Sequence, residues 1–98
     1  MTTKAYCIYI MANTRYGTLY IGITSDLIRR VYEHRTYADP KSFTAKHNVT
    51  RLVHFEVFDD PENAIRREKR LKKWSRDWKI NLLERDNPNW DDLYDSLL

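Results

Sequence analysis

The 98-residue chain contains one cysteine, Cys7, and this scarcity excludes two kinds of site. A lone cysteine cannot form an internal disulfide, and it cannot belong to a clustered Cys/His metal site. A reducing cytoplasm is the simplest setting for such a chain. No apolar run approaches the roughly 20 residues of a membrane span, and residues 1–4 are too short and polar for a signal peptide. We therefore expect a cytoplasmic protein without a membrane partner.

Positive charge is absent from residues 86–98, whereas residues 66–79 hold eight of the 17 lysines and arginines. A concentrated basic segment is typical of proteins that bind a polyanion such as nucleic acid. A solvated helix face accounts for the same charge run equally well. The charge distribution by itself therefore leaves both interpretations open.

Residue patterns along the chain predict a single small α+β domain over residues 1–98, with elements in the order ββαβαα. In the third strand, alternation predicts Leu52 and His54 on one face and Val53 and Phe55 on the other. Asp60 followed by Pro61 is a strong signal for the start of a helix. The predicted strands are 5–11, 18–23 and 50–58, and the predicted helices run from Ser25 or Asp26 to about 36, onward from Asp60, and from Arg76 to about Glu84.

The first two strands read as a hairpin that places two tyrosines on one face. If Ala12 pairs with Gly17 across the loop, Tyr9 lies directly opposite Tyr20. Aromatic pairs of this kind usually serve packing, and a catalytic role is the alternative.

The first helix is predicted to bury an apolar arc and to carry Arg30 and His34 at the edge of that arc, one turn apart. Each of these two residues is ordinarily a surface residue. Beside a pair of phenols, however, they supply a guanidinium and an imidazole. The predicted arc consists of Leu27, Ile28, Val31 and Tyr32.

Glu68 stands out because it lies inside the apolar stripe of an otherwise basic amphipathic helix. A buried carboxylate is costly unless it is paired or binds a metal. An ion pair with a residue such as Arg30 is one explanation, and a metal site is the other. Hydrolysis of a phosphodiester needs a base, charge to stabilise the pentacovalent phosphate and usually a divalent cation. A phenol, Arg30 and a cation held by Glu68 would meet these needs.

The segments "CIY" at 7–9 and "YIG" at 20–22, with ten residues between their tyrosines, resemble the GIY-YIG nuclease family. The segment "TSDLIRRVYEHR" resembles the first helix of that family, with Arg30 and His34 ten and fourteen residues after Tyr20. The segment "AIRREKRLKKW" is similar to its metal-binding helix, with Glu68 at the ligand position. The likeness is greatest to small stand-alone bacterial members similar to the nuclease domain of UvrC.

This resemblance implies a three-stranded antiparallel β-sheet flanked by α-helices and cleavage of DNA that depends on Mg²⁺ or Mn²⁺. Tyr9 or Tyr20 would be the general base, with a narrow preference for Tyr9. Arg30 would hold the scissile phosphate, His34 would position water or the phosphate, and Glu68 would bind the metal. The remaining candidates are Gly22, Lys46, Arg70 and Lys73 for nucleic-acid binding and Asn87 for support of the site.

The sequence departs from the family pattern at two positions. Cys7 replaces the first glycine, and Ile23 stands where UvrC-like domains carry a lysine. Lys46 could supply the missing positive charge, or it could be an ordinary surface lysine, and His47 beside it has the same standing.

The expected function is therefore a metal-dependent endonuclease acting on DNA, with a role in repair or recombination. A non-catalytic nucleic-acid-binding module that retains the fold is the alternative, and an interaction domain with an acidic tail is a third. So small a domain is expected to select DNA by structure rather than by sequence, unless a homodimer or a partner protein supplies specificity.

Overall fold

A computed structural model describes residues 5–98, and its central feature is a three-stranded antiparallel sheet in the order β2-β1-β3. The strands are β1 (Tyr6–Ala12), β2 (Leu19–Thr24) and β3 (Arg51–Phe58). The helices are α1 (Leu27–Arg35), the short α2 (Phe43–Lys46), α3 (Pro61–Lys73) and α4 (Arg76–Asp86), followed by a 3₁₀ turn at Tyr94–Leu97. The α+β class is confirmed, and the predicted elements occur in the order expected, with the short α2 as an additional helix between α1 and β3. No helix within residues 5–98 has both the length and the apolar character needed to cross a membrane.

Side-chain caps explain where the helices begin. The Asp26 carboxylate accepts a hydrogen bond from the backbone N–H of Arg29 at 3.2 Å, which fixes the start of α1. Asp60 caps α3 through the N–H of Asn63 at 3.0 Å, and Pro61 occupies the first turn. Both start signals were visible in the sequence.

The sheet is covered on both faces, so its central strand is buried from Cys7 to Ala12. On one face, Ile8, Ile10 and Ile21 pack against Ala64 and Leu71 of α3, with residues of α4 and Trp90 in the same cluster. On the other face, a second cluster contains Tyr9, Met11 and Leu52 with Leu27 and Val31 of α1. The two tyrosine motifs therefore meet on the α1 side of the sheet.

The predicted register of the hairpin is wrong by two residues. Ala12 pairs with Leu19 rather than Gly17, so Tyr9 lies opposite Gly22 and not opposite Tyr20. The loop is longer than expected because Asn13 closes it, its side-chain oxygen accepting the N–H of Thr18 at 2.9 Å. A shift of two residues preserves the face of every side chain, so the two tyrosines still share one.

The predicted alternation of β3 is also wrong at one end. The pairing of β1 with β3 is irregular between Ile10 and Met11, where Ile10 faces His54 but Met11 faces Leu52. The extra residue, Val53, forms a β-bulge, and the side chains before the bulge therefore lie on the opposite face of the sheet from the one that simple alternation predicts. Leu52 consequently joins the cluster on the α1 side and Val53 the cluster on the α3 side.

Candidate active site

The Tyr9 ring lies directly over Gly22, and this contact explains the glycine of the YIG motif. A Cβ atom built at Gly22 would stand 2.4 Å from the Tyr9 hydroxyl oxygen and 2.5 Å from its Cζ. Both distances are too short for real atoms, so a side chain at position 22 would displace the ring. The ring itself is only 1% exposed. Gly22 therefore acts on the site through the position of Tyr9.

A buried chain of hydrogen bonds runs from Tyr9 to the loop before α2. The Tyr9 hydroxyl lies 3.0 Å from Nε2 of His34, and Nδ1 of that imidazole lies 2.9 Å from Oγ1 of Thr44. The Thr44 hydroxyl is in turn 3.1 Å from Oγ of Ser42. Both ring nitrogens of His34 are thus committed to neighbouring hydroxyls, which fixes the orientation of the imidazole.

Burial determines the protonation of both rings in this chain. It raises the pKa of Tyr9 to about 12, an effect that the nearby Arg30 guanidinium partly opposes. Burial and, secondarily, the positive charge of Arg30 lower the pKa of His34 to about 4. At neutral pH the phenol therefore keeps its proton and the imidazole is uncharged.

The buried arc of α1 differs from the predicted one. Leu27, Val31 and His34 face the sheet, whereas Ile28 is 43% exposed and Tyr32 57% exposed. His34 can replace an apolar side chain there because Tyr9 and Thr44 satisfy both of its nitrogens.

Tyr20 completes the aromatic cluster and reaches solvent. Its ring centroid lies 6.3 Å from that of Tyr9 and 5.5 Å from that of His34, and the side chain is half-buried. The Arg30 guanidinium is within electrostatic range of both phenols and forms an ion pair with Glu33 at 3.2 Å. Arg30 and His34 line a cleft of about 240 Å³. Four of the five predicted catalytic side chains, Tyr9, Tyr20, Arg30 and His34, therefore meet.

Glu68, the fifth, approaches from the other side of the sheet. Its side chain is 15% exposed and its carboxylate pairs with the Nζ of Lys72 at 3.2 Å, so the partner is not Arg30. Lys72 lines a groove of about 340 Å³ together with Tyr20, so the ion pair connects Glu68 to a residue of that groove. Within residues 5–98, no three His, Cys, Asp or Glu side chains group so as to hold a metal ion. A single carboxylate fits Mg²⁺ only if phosphate oxygens and water complete the coordination.

The predicted nucleic-acid contacts are dispersed. Lys46, Arg70 and Lys73 are exposed, and none of them pairs with a carboxylate in the described part of the chain, whereas Gly22 is buried. Arg70 borders a larger groove of about 820 Å³ beside the end of β3, away from the tyrosine cluster. The exposed cations thus form a broad basic surface rather than one focused site.

Asn87 supports the fold through the backbone. It is 5% exposed, and its amide nitrogen donates to the carbonyl oxygens of Val53 at 3.1 Å and Asp91 at 2.9 Å. Its side-chain oxygen accepts the N–H of Asp91 at 2.9 Å. Asn87 therefore ties the C-terminal segment to the bulge of β3, and its polar atoms are occupied by the protein itself.

Sequence reasoning missed four residues around the cluster. Ser42 caps α2 by accepting the N–H of Ala45 at 3.2 Å, and Thr44 orients His34. Phe43 lies against Tyr20, and Lys79 lines the groove beside it. The one available signal was Ser42, a typical N-cap residue ahead of a short apolar turn.

Comparison with known proteins agrees with this geometry. A family model described as the GIY-YIG catalytic domain matches residues 5–81. A UPF0213 protein of Haloquadratum walsbyi is 40% identical over 68% of this chain and 74% of its own length, and one of Pectobacterium carotovorum is 36% identical over 83% and 79%. The solution NMR structure of a UPF0213 protein from Bacillus halodurans is 27% identical and covers 90% of this chain and 92% of its own, with a TM-score of 0.56. The chain therefore belongs to the GIY-YIG catalytic domain family.

Proposed function

We propose that residues 1–98 form a single GIY-YIG nuclease domain that hydrolyses DNA phosphodiester bonds with the help of a divalent cation. The supporting observation is the meeting of two phenols, an uncharged imidazole and a guanidinium beside a groove that Lys72 and Tyr20 share. These groups are what an in-line attack of water on a phosphodiester requires from a protein.

We assign the general base to Tyr20 rather than to Tyr9. The Tyr9 hydroxyl is buried and hydrogen-bonded to His34, so it does not face a substrate. Burial raises the pKa of Tyr9 to about 12, so the phenol does not readily release its proton. Tyr20 is half-buried and opens onto the groove. Tyr9 and His34 then serve as positioning residues, because their hydrogen bond supports the rings against which Tyr20 packs.

Arg30 is the residue proposed to hold the scissile phosphate. Its side chain is 43% exposed, and its partner Glu33 is also accessible at 33%. An exposed ion pair of this kind is weak, so exchanging Glu33 for a phosphate costs little.

Glu68 is the residue proposed to bind Mg²⁺ or Mn²⁺. The bound cation would supply positive charge to the developing pentacovalent phosphate. The Glu68 carboxylate is paired with the Nζ of Lys72 at 3.2 Å, and Lys72 lines the groove that Tyr20 also lines. The exposed side chains of Lys46, Arg70 and Lys73 would attract the DNA backbone in a salt-dependent manner.

The proposal extends to the biological setting. A domain of this size is expected to recognise DNA structure rather than sequence, as in repair or recombination, and to work in the cytoplasm. Cutting both strands would require a homodimer, a partner protein or two encounters.

The test is a substrate panel of supercoiled, branched and single-stranded DNA, incubated with Mg²⁺ or Mn²⁺ and in parallel with EDTA. We expect nicking that depends on the metal and that is abolished in Glu68→Ala and Arg30→Ala. Binding without cutting, unchanged in Glu68→Ala, would instead establish the non-catalytic binding module.

A further inference from the structure

A row of aromatic rings continues outward from Tyr20 across α2. The Phe43 ring stacks on Tyr20 with centroids 6.2 Å apart and an interplanar angle of 26°. The centroid of the His47 ring lies 4.4 Å from that of Phe43, and the two rings are tilted by 41°. Phe43 is 47% exposed, so much of its surface faces solvent.

The buried side of α2 holds this row in a fixed place. Thr44 is buried and bonded to His34, and Ser42 caps the helix through Ala45. Since Thr44 anchors the turn, its neighbour Phe43 is directed outward next to Tyr20. An exposed phenylalanine gains little for folding in that position, yet it lies at a set distance from the proposed base.

The groove beside these rings is also lined by positive charge. This groove of about 340 Å³ is lined by Tyr20 and Phe43 together with Leu19, Ile21, Lys72 and Lys79. Lys79 has no ion-pair partner within residues 5–98. Aromatic rings and ammonium groups that line one groove complement a single nucleic-acid strand, because its bases stack on rings and its phosphates attract positive charge.

We propose that this groove binds an unpaired nucleotide of DNA next to the scissile phosphate, with its base on Phe43 and its phosphates near Lys72 and Lys79. The adjacency to the scissile phosphate rests on the function proposed above. A base inside a duplex is already stacked and paired, and it cannot lie on the ring without leaving the helix. The favoured substrate class is therefore DNA with an unpaired segment, such as a flap, a bulge or a single strand.

The test measures binding without cleavage, in EDTA, to a single-stranded oligonucleotide carrying 2-aminopurine and to a fully paired duplex. The wild-type protein is expected to quench the fluorescent base and to prefer the single strand. Phe43→Ala should weaken single-strand binding by roughly 5- to 150-fold, the usual effect of losing one stacking platform, with little change for the duplex. Phe43→Trp should retain binding and quenching.

Tyr32→Ala is the matched control, because Tyr32 is 57% exposed on the neighbouring helix and has no ring partner in the described chain. It should bind both DNAs as the wild type does, and circular dichroism should show that all variants are folded. Equal losses on single strand and duplex for Phe43→Ala, or no loss at all, would overturn the inference. Because no metal is present, this result is independent of cleavage: a protein that stacks bases but never nicks DNA would refute the nuclease and leave the groove intact.

Discussion

The contact between Gly22 and Tyr9 predicts that Gly22→Ala lowers the stability of the protein, which is the opposite of the usual effect of this substitution. In a strand with free space, Gly→Ala stabilises a protein by about 0.4–1 kcal/mol, because it reduces the conformational freedom of the unfolded chain. At Gly22 the added methyl group would meet the Tyr9 hydroxyl oxygen at 2.4 Å and its Cζ at 2.5 Å. The ring has no room to retreat, since it is 1% exposed and hydrogen-bonded to His34.

We therefore expect Gly22→Ala to destabilise the protein by about 1–3 kcal/mol, the usual range for overpacking a core. In a domain of this size each kcal/mol lowers the midpoint of thermal unfolding by about 4–8 °C. The measurement is urea or thermal denaturation followed by circular dichroism.

Repeating the Gly22→Ala substitution in a second variant shows whether the loss of stability comes from the contact with Tyr9 or from any side chain at this position of β2. Tyr9→Leu removes the Cζ and hydroxyl atoms that an alanine at position 22 would meet, so adding Gly22→Ala to that variant should cost little or should stabilise it. An equal penalty in both backgrounds, or a Gly22→Ala variant as stable as the wild type, would refute the explanation of the YIG glycine.

Three further predictions concern other parts of the site. The pKa of His34 is about 4 in the folded protein and near 6.5 when unfolded, so the unfolded chain binds more protons between these values. The contribution of the neutral His34 to the free energy of unfolding is therefore fully present above pH 6.5 and falls by up to about 3 kcal/mol as the pH drops to 4. Unfolding titrations at several pH values should find a smaller decrease in His34→Asn. Asn87→Ala should lower the free energy of unfolding by about 1–3 kcal/mol in urea, because it leaves the buried Val53 carbonyl without its partner, whereas Asn81→Ala on the exposed face of α4 should change it little. Mg²⁺ at about 100 times its Kd should stabilise the wild type by about 2.7 kcal/mol in a thermal shift assay, and an equal shift in Glu68→Gln would place the cation elsewhere.

Much of the fold was predictable because its signals are local. The Asp60-Pro61 start of α3 and the Asp26 cap of α1 follow from single residues and their neighbours. The prediction that Tyr9 and Tyr20 share one face of the sheet was correct even though the predicted register was wrong by two residues, because side chains alternate with a period of two.

The errors arose where distant parts of the chain decide the outcome. The bulge at Val53 coincides with a carbonyl that Asn87 satisfies from 34 residues away, and no local pattern of β3 marks it. The burial of His34 depends on its hydrogen bond with Thr44, ten residues later, and the hydrophobic periodicity of α1 contains no information about this contact. The different burial of the two phenols, with Tyr9 buried and Tyr20 half-buried, is likewise decided by tertiary packing, and the assignment of the base to Tyr20 stays a proposal that rests on it.

The ion pair of Glu68 shows the same limit within one helix. The sequence indicated that a carboxylate in the apolar stripe needs a partner, and Arg30 was the partner weighed against a metal. The structure pairs Glu68 with Lys72, one turn along α3, and Lys72 lines the groove that Tyr20 also lines. The need for a partner was therefore predictable, but its identity was not.

The most direct test of the proposed chemistry is the single-turnover rate of nicking of supercoiled DNA with Mg²⁺, compared between Tyr20→Phe and Tyr9→Phe. The account predicts that loss of the Tyr20 hydroxyl slows the chemical step by about 10²–10⁴-fold without loss of folding, and that loss of the buried Tyr9 hydroxyl has a much smaller effect. A folded Tyr20→Phe protein that nicks DNA at the wild-type rate would contradict it.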